Sequence, residues 1–284
     1  MIPGVPLCAT LVALALLTLL PPAGAAEEKP AIGDWKPRFQ GISIARGTWA
    51  TAAGPQAAVA VRIDLRDPDI RFHATPDNGE APLETDGETG PQFARRHRVQ
   101  LAVNTAFFSP CCSYFGSEPK DLAGFYVSQG QIVSPWSSER PAVLAIDRAH
   151  RATVLRSAPT DTGDYWFAGA GMDLLKAGRP VVAPNDNRHP RTVAGVSQDN
   201  RHLILAVIDG RQPKHSIGAS LHEAARWLLS FGGHEGINFD GGGSSILVVQ
   251  TAAGSGYDIL NRPSSGLPRV NGAHLGLFAR PLDQ

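Results

Sequence analysis

This chain has no excess of charge of either sign. Its 284 residues contain 26 lysines and arginines and 26 aspartates and glutamates, so its formal net charge is zero. Proteins that hold nucleic acid by its phosphates need a basic face. The balance predicts that nucleic acid is not a partner, and the length predicts one substantial core.

Cysteine is scarce as well, with three residues at positions 8, 111 and 112. Cys8 lies in an apolar N-terminal run, so the mature chain would keep only the adjacent pair Cys111 and Cys112. Three interpretations of that pair stay open: a vicinal disulfide, a metal-sensitive pair, or two unrelated thiols. The sequence predicts neither a disulfide scaffold nor a zinc site.

Long apolar runs are missing, except near the start. Residues 8–20 are apolar and uncharged, and Pro21, Pro22 and small residues follow them. This pattern is typical of a signal peptide, although residues 1–26 contain no Lys or Arg. A retained anchor helix would need about 20 apolar residues, and Pro21 ends the run early. We expect cleavage after Ala25 or Ala26, export to the periplasm or the medium, and no stable membrane span in the mature chain.

Three catalytic motifs are incomplete. A phosphate-binding P-loop needs a Lys-Ser or Lys-Thr pair and a helix after its glycines, whereas residues 241–243 lead to Ser244 and an apolar run. A zinc-protease helix needs a second His four residues after the first, and Arg226 stands there after His222. No serine lies in a G-x-S-x-G turn. The sequence therefore predicts neither a nucleoside triphosphatase, a metalloprotease nor a serine hydrolase.

Turn-forming residues, by contrast, are abundant. Thirty glycines and 23 prolines indicate many turns and a strand-rich fold. We assign residues 27–40 to a mature leader and 41–284 to one domain. We predict an α+β fold, a single domain with a large mixed, mostly antiparallel sheet and a few packed helices.

Local signals place most elements of that domain. Capping boxes at Thr89 and Ser220 begin two helices, and the second has apolar residues at helical spacing from Leu221 to Leu229. Residues 157–190 mix glycine, proline and aspartate and are assigned mainly to loops, with a short strand pair at 176–179. The predicted strands and hairpins are 57–65, 99–103, 124–133 turning at 129–130, 142–154, 192–196, 202–208, 237–239 and 246–250.

The segment Asn238–Val249 reads NFDGGGSSILVV and is the strongest functional signal. Glycines lack a Cβ, so the N–H groups of Gly241, Gly242 and Gly243 could form an anion-binding nest beside the hydroxyls of Ser244 and Ser245. Asp240 would then be a reactive or sugar-binding carboxylate at its rim. The competing interpretation is a tight hairpin with a polar tip.

Several motifs resemble the phosphodiester glycosidase family. Its best-known member removes N-acetylglucosamine to uncover mannose 6-phosphate, and its bacterial relatives are often described as exopolysaccharide biosynthesis proteins. The motifs are Pro190-Arg191-Thr192, LILAVIDGRQ at 203–212, Ser216 with Gly218, the helix after Ser220, and INFDGGGSSILVV at 237–249. A weaker match begins at Phe93 and the similarity extends from about Gly41. Thr105 and Ala106 stand where the family usually has two glycines, and this departure leaves the substrate undecided.

The resemblance implies cleavage between the anomeric carbon of a sugar and a phosphodiester oxygen. Asp240 would be the nucleophile or general base, and Asp209 the second carboxylate. The loop glycines with Ser244 and Ser245 would donate to phosphate, and Arg191 and Arg211 would clamp it. Asn104 would bind a sugar hydroxyl, and Ser216 is carried over as a substrate-binding position. Asp209 could instead cap a turn, with Arg211 pairing to it at the surface.

Two other functions stay open. One is a non-catalytic protein that binds polysaccharide or serves exopolysaccharide biosynthesis. The other is a glycosidase for ordinary O-glycosides, which would need Asp209 and Asp240 at about 5 Å for retention or about 6.5–9.5 Å for inversion. The expected partner is a carbohydrate or sugar phosphate, and the sequence requires no cofactor. The oxygen ligands of Asp209, Asp240 and Asn104 would suit Ca²⁺ or Mg²⁺ better than Zn²⁺.

Overall fold

The computed structural model describes residues 1, 29–79, 81–159 and 164–282. The predicted signal peptide, residues 1–26, lies outside the described residues apart from Met1. Within the described ranges, no helix has both the length and the apolar character to cross a membrane.

The described part of the chain is dominated by strands, and it has two α-helices, α1 (Gly90–His97) and α2 (Leu221–Ser230). A short 3₁₀ helix covers Gly242–Ser244. In chain order the strands are β1 (Ala31–Ile32), β2 (Lys36–Phe39), β3 (Ile42–Thr51), β4 (Gly54–Asp64), β5 (Arg71–Ala74), β6 (Thr85–Asp86), β7 (Glu88–Thr89), β8 (Leu101–Asn104), β9 (Phe107–Ser109), β10 (Pro119–Ala123), β11 (Tyr126–Ser128), β12 (Gln131–Ser134), β13 (Ala142–Asp147), β14 (Ala152–Leu155), β15 (Tyr165–Lys176), β16 (Arg179–Pro180), β17 (Arg191–Val196), β18 (His202–Ile208), β19 (Glu235–Asn238), β20 (Leu247–Gln250), β21 (Tyr257–Ile259), β22 (Val270–Asn271) and β23 (His274–Phe278).

Two sheets organise the fold. The larger has 13 strands with the path β1-β3-β4-β18-β17-β19-β15-β11-β12, and the smaller has the order β21-β20-β8-β23-β5. Every pairing given for the described strands is antiparallel. The prediction of a mixed sheet is therefore wrong in detail. The "α+β" description fits only roughly, because the two helices cover small parts of a sheet-rich domain.

The main core lies between these two sheets. Val59, Val61 and Ile63 of β4 share it with Leu101 of β8 and Leu275 of β23. Side chains alternate along a strand, so the opposite face of β4 presents Ala58 and Ala60 to a second core. The large sheet is consequently buried on both faces in this region.

Helix α2 covers that second face. Ser220 accepts a hydrogen bond from the Glu223 N–H, and the Glu223 carboxylate accepts one from the Ser220 N–H, so the predicted capping box is confirmed. Trp227 and Leu228 are fully buried and pack on the second core. The Trp227 indole N–H donates to Gln56 of β4, which fixes the helix to the sheet.

The structure corrects the sequence interpretation in two places. Within the proposed leader, β1 and β2 already pair with β3, so order begins before Gly41. The proposed loops of 157–190 contain the 12-residue strand β15, while residues 160–163 lie outside the described part. The sequence pattern missed this strand because Gly169 and Gly171 are typical of loops. A Cβ on Gly171 would overlap the Asn238 carbonyl, so close packing against β19 requires glycine there.

Candidate active site

The loop predicted from the glycines connects the two sheets. β19 of the large sheet ends at Asn238, and β20 of the small sheet begins at Leu247. Asp240 lies at the start of this crossing, with its backbone N–H donating to Thr105 O at 2.9 Å. The backbone of Asp240 is thus held between a strand of the large sheet and a strand of the small sheet.

Asn104, at the end of β8, stabilises the loop through hydrogen bonds of its side-chain amide. Its Nδ2 donates to Asp240 O at 2.7 Å, and its Oδ1 accepts from Thr192 Oγ1 at 2.7 Å and from Ile246 N at 3.0 Å. The residue is only 1% exposed. Asn104 therefore positions Asp240, and the predicted contact with a sugar hydroxyl is not supported by its location.

Two of the three N–H groups of the predicted anion nest have acceptors within the protein. The Gly241 N–H donates to Asp240 Oδ1 at 2.9 Å, and the Gly242 N–H donates to Pro190 O at 2.8 Å. These donors are occupied within the protein. The glycines serve a different purpose, because a Cβ on Gly242 would lie 3.2 Å from Arg211 Nη2 and one on Gly243 would overlap the Arg269 guanidinium. Glycine lets two cations rest directly on the loop.

The pKa of Asp240 lies above the usual range of a carboxyl group. Burial raises its pKa to about 6, against hydrogen bonds with Ser244 and the Gly241 N–H and against the charges of Arg269 and Arg140. The side chain is only partly covered, so it stays accessible at the loop surface. A carboxylate with this pKa is largely ionised at neutral pH and is well matched to take up a proton there.

Arg191 and Arg211 lie close to the loop glycines, beside Gly241 and Gly242 respectively. Arg191 donates from Nε to Ala219 O and from Nη2 to Asn187 O, so it is held by neutral backbone acceptors. Burial and the nearby Arg211 cation lower the pKa of Arg191 to about 10. Both residues remain cationic at neutral pH, and their mutual repulsion would be relieved by a bound anion.

Arg269 lies against Gly243 of the loop and was missed by the sequence interpretation. Its Nη1 approaches Ser244 Oγ at 3.5 Å and Cys111 Sγ at 3.7 Å, and its guanidinium lies 5.8 Å from the Tyr114 ring centre. Its buried Nε has no acceptor among the described residues. The charge of Arg269 acts on Asp240, and an anionic ligand bound beside that carboxylate would be attracted to it.

Tyr114 and Cys111 belong to the loop after β9, so this loop forms a wall of the site. Hydrogen bonds with Ser265 and Arg269 lower the pKa of the Tyr114 phenol, and the charges of Arg269 and Arg211 act in the same direction. Tyr114 therefore lies within electrostatic range of both cations. Cys111 and Cys112 form a disulfide, which selects one of the three interpretations left open by the sequence.

The described residues leave these cations without carboxylate partners. None of their ion pairs includes Arg140, Arg191, Arg211 or Arg269. Arg140 stacks on Phe107 at 4.4 Å and, like Arg269, has a buried Nε without an acceptor. The charges of Arg269 and Arg140 act on Asp240, and Arg211 lies against Gly242 of the same loop; this excess of cations favours an anionic substrate.

Asp209, the predicted second carboxylate, has protein partners for both oxygens. Oδ1 accepts from the Arg262 N–H at 2.8 Å, and Oδ2 lies 2.8 Å from His215 Nε2. Ser216 is fully buried and donates to Asp209 O at 2.6 Å while accepting from the Ala57 N–H. Both residues stabilise the turn after β18, which is the alternative considered for Asp209. The predicted substrate contact of Ser216 is not supported.

The remaining predicted positions lie behind the loop surface. Ser244 and Ser245 are buried, and the Ser245 hydroxyl has no partner in the structure. Thr105 and Ala106, which replace the two glycines usual in the family, are buried too. No cluster of three or more His, Cys, Asp or Glu residues in the described ranges has an arrangement that could hold a metal ion.

Sequence comparison decides the family. The family model for phosphodiester glycosidases matches residues 97–278, which contain the loop, Asn104 and the four arginines described above. The chain belongs to the phosphodiester glycosidase family. The resemblance inferred from motifs is thereby confirmed, while no match was found among curated proteins.

Solved structures share the fold of this family member at low sequence identity. A hypothetical protein from Synechocystis has TM-score 0.63 and 16% identity, with 85% of this chain and 62% of that chain covered. A protein described as exported from Burkholderia pseudomallei has TM-score 0.64 and 15% identity, covering 90% and 98%. The catalytic domain of zebrafish N-acetylglucosamine-1-phosphodiester alpha-N-acetylglucosaminidase, auto-inhibited by its pro-peptide, has TM-score 0.63 and 17% identity, covering 89% of each.

Proposed function

We propose that this protein is an exported hydrolase that releases a sugar from a glycosyl phosphodiester by attack at the anomeric carbon. The observation that carries the proposal is the position of Asp240, with its pKa of about 6, among guanidinium groups that have no carboxylate partner. Family membership supports glycosidase chemistry on phosphodiesters. The identity of the sugar and of the alcohol on the phosphate is left open.

The chemistry of the leaving group explains why one carboxylate suffices. Cleavage of the anomeric C–O bond leaves its electron pair on an oxygen of a phosphate monoester, whose second pKa is about 6. Such a group departs with less help from a general acid than an alcohol needs. Asp240 either attacks the anomeric carbon or removes a proton from the attacking water. Asp209 is engaged elsewhere, so the two-carboxylate mechanism of ordinary O-glycosidases has less support.

The guanidinium groups fit the other half of the substrate. Arg211 and Arg269 lie against Gly242 and Gly243, on the loop that carries Asp240. Planar guanidinium binds phosphate oxygens in a bidentate fashion, and it would also stabilise the charge that develops on the leaving oxygen. In this arrangement the arginines fix the phosphate, and Asp240 faces the sugar.

Export is part of the proposal. The apolar residues 8–20 followed by Pro21 and small residues support it, as does the fold likeness to a Burkholderia protein described as exported. Mass spectrometry of the protein recovered outside the cytoplasm should give a chain beginning at Ala26 or Glu27. An intact Met1 on that protein would contradict the proposed signal peptide.

Isotope labelling tests the reaction itself. The purified mature protein should be incubated with a panel of sugar phosphodiesters in H₂¹⁸O, with the matching methyl glycosides as neutral controls. Attack at the anomeric carbon places ¹⁸O in the released sugar and leaves the phosphate monoester unlabelled. Label in the phosphate would contradict the proposal, since it shows attack at phosphorus. Saturable binding of every phosphodiester without product would favour a polysaccharide-binding or biosynthesis protein instead.

A further inference from the structure

A cavity lies at the opposite end of the small sheet from the candidate active site. It has a volume of about 330 Å³ and is lined by Arg71, His73, Arg148, Trp166 and Phe278 together with neighbouring groups. Strand register separates it from Asp240: His274 pairs with Asn104, which holds Asp240, whereas Phe278 pairs with Arg71. Four residues along β23 correspond to about 13 Å.

The two arginines of this cavity are exposed and have no acceptor among the described residues. Arg71 lies over the Phe278 ring at 4.9 Å, and Arg148 lies over Trp166 at 5.0 Å. None of the ion pairs in the described ranges contains either residue, and no carboxylate lines the cavity. Both guanidinium groups are therefore positioned by aromatic rings while their N–H donors stay available.

The walls of the cavity are fixed by the fold. The Trp166 indole N–H donates to Phe72 O at 2.8 Å, which locks the ring against β5. Arg148 Nη2 lies above the turn at Gly130, where a Cβ would come within 2.7 Å of it. Glycine at this turn gives the guanidinium the room to lie flat. The Trp166 wall of the cavity is thus held in place before a ligand binds, which lowers the cost of ordering it on binding.

We propose that this cavity binds one sugar unit that carries a carboxylate. The volume is at the lower end of the range for small-molecule sites, which suits one ring-sized ligand. Two guanidinium groups that line one cavity can recognise a carboxylate, and the parts of the Trp166 and Phe278 rings that the arginines leave exposed offer apolar surface to the C–H groups of a pyranose. The site would hold an acidic glycan on a face of the protein remote from Asp240, independently of the proposed reaction.

Titration with small sugars tests this site. The Trp166 indole N–H resonance, assigned by its loss in Trp166→Phe, should shift saturably with methyl glucuronide. Methyl glucoside, which lacks the charge, and acetate, which lacks the ring, should bind at least ~10-fold more weakly. Arg71→Gln and Arg148→Gln should each weaken glucuronide binding by at least ~10-fold, while the exposed control Arg46→Gln should not change it.

Other outcomes would overturn the proposal. Equal shifts with methyl glucoside would show that the carboxylate is not recognised, and equal affinity for acetate would indicate an unspecific anion site. Unchanged glucuronide affinity in both arginine variants would place the ligand elsewhere. Asp240→Asn should bind glucuronide as the wild type does, and loss of binding in that variant would assign the ligand to the active site.

Discussion

Asp240 is subject to two opposing influences at the scale of a single residue. Burial disfavours its charged form and raises its pKa to about 6, while Arg269 and Arg140 favour the charged form. The balance places its titration close to neutral pH, where small changes in the surroundings alter the charge of the group. The same arginines would bind the phosphate, so substrate recognition and acidity are coupled in this site.

The pH dependence of turnover should reveal this coupling. If the ionised form of Asp240 is required, kcat/KM for a sugar phosphodiester should fall tenfold per pH unit below about 6. Arg269→Gln removes a cation that lowers the Asp240 pKa, so the acidic limb should move to higher pH. Arg46→Gln, at an exposed position, should leave the limb in place. A limb that stays fixed or moves to lower pH in Arg269→Gln would contradict the coupling.

Arg269 should also distinguish the phosphate from the sugar. Because the guanidinium lies on the phosphate side of the proposed site, Arg269→Gln should raise KM for a phosphodiester by at least ~10-fold, as expected for loss of a charge-assisted hydrogen bond. KM for a neutral glycoside of the same sugar, if that glycoside is turned over, should change little. An equal rise for both substrates would indicate that Arg269 has only a structural role.

At the scale of elements, the site depends on strand ends that come from different parts of the chain. Asn104 at the end of β8 connects the Asp240 loop with Thr192 of β17, so one buried amide joins the two sheets. Asn104→Ala leaves the Ile246 N–H and the Thr192 hydroxyl without this acceptor, at roughly 1–3 kcal/mol each. Urea unfolding should show that loss, and Asn187→Ala, on the surface, should show none. Wild-type stability in Asn104→Ala would refute the bridging role.

The turn after β18 gives a second test at this scale. Asp209→Asn keeps an oxygen acceptor for the Arg262 N–H and removes the charge beside His215. Since the structure assigns Asp209 to the turn, kcat should fall by less than ~10-fold. A decrease of ~100-fold or more without unfolding would restore Asp209 as a second catalytic carboxylate, because general acid or base catalysis contributes at least that much.

Local patterns predicted much of the fold. The capping boxes at Thr89 and Ser220, the strands β4, β17 and β18, and the hairpins of 124–133 and 142–154 all carry their signal within a few residues. β15 was missed because its glycines, which are needed for close strand packing, imitate a loop. The antiparallel arrangement throughout the sheets depends on pairings between distant segments, which no local pattern records.

For the same reason, the sequence could name only part of the candidate site. Asp240, Arg191 and Arg211 lie within motif segments, so the sequence could name them as candidates. Arg269 and Arg140 could not be named, because each reaches the loop from a segment without any motif. Only the three-dimensional structure shows that the N–H groups of Gly241 and Gly242 and the side chain of Asn104 already have partners within the protein.

The whole molecule should unfold as one unit. The main core contains residues of both sheets, among them Leu205 of the large sheet and Leu101 of the small one, and both are fully buried. Leu101→Ala and Leu205→Ala should each lower the free energy of unfolding by about 2–5 kcal/mol. Calorimetry should show a single transition that moves in both variants. Two transitions, each sensitive to only one substitution, would show that the sheets are independent domains.

Turnover by Asp240→Asn tests the central claim most directly. The pKa of Asp240 is higher in the folded protein than in the unfolded chain, so its ionisation above pH 4 lowers the stability of the fold. The substitution removes this charge, and stability at pH 7 should therefore be kept or increased. With a sugar phosphodiester that the wild type cleaves, kcat should fall at least ~100-fold in Asp240→Asn and stay unchanged in the exposed control Asp258→Asn. Folded Asp240→Asn protein that releases sugar at close to the wild-type rate would contradict the account.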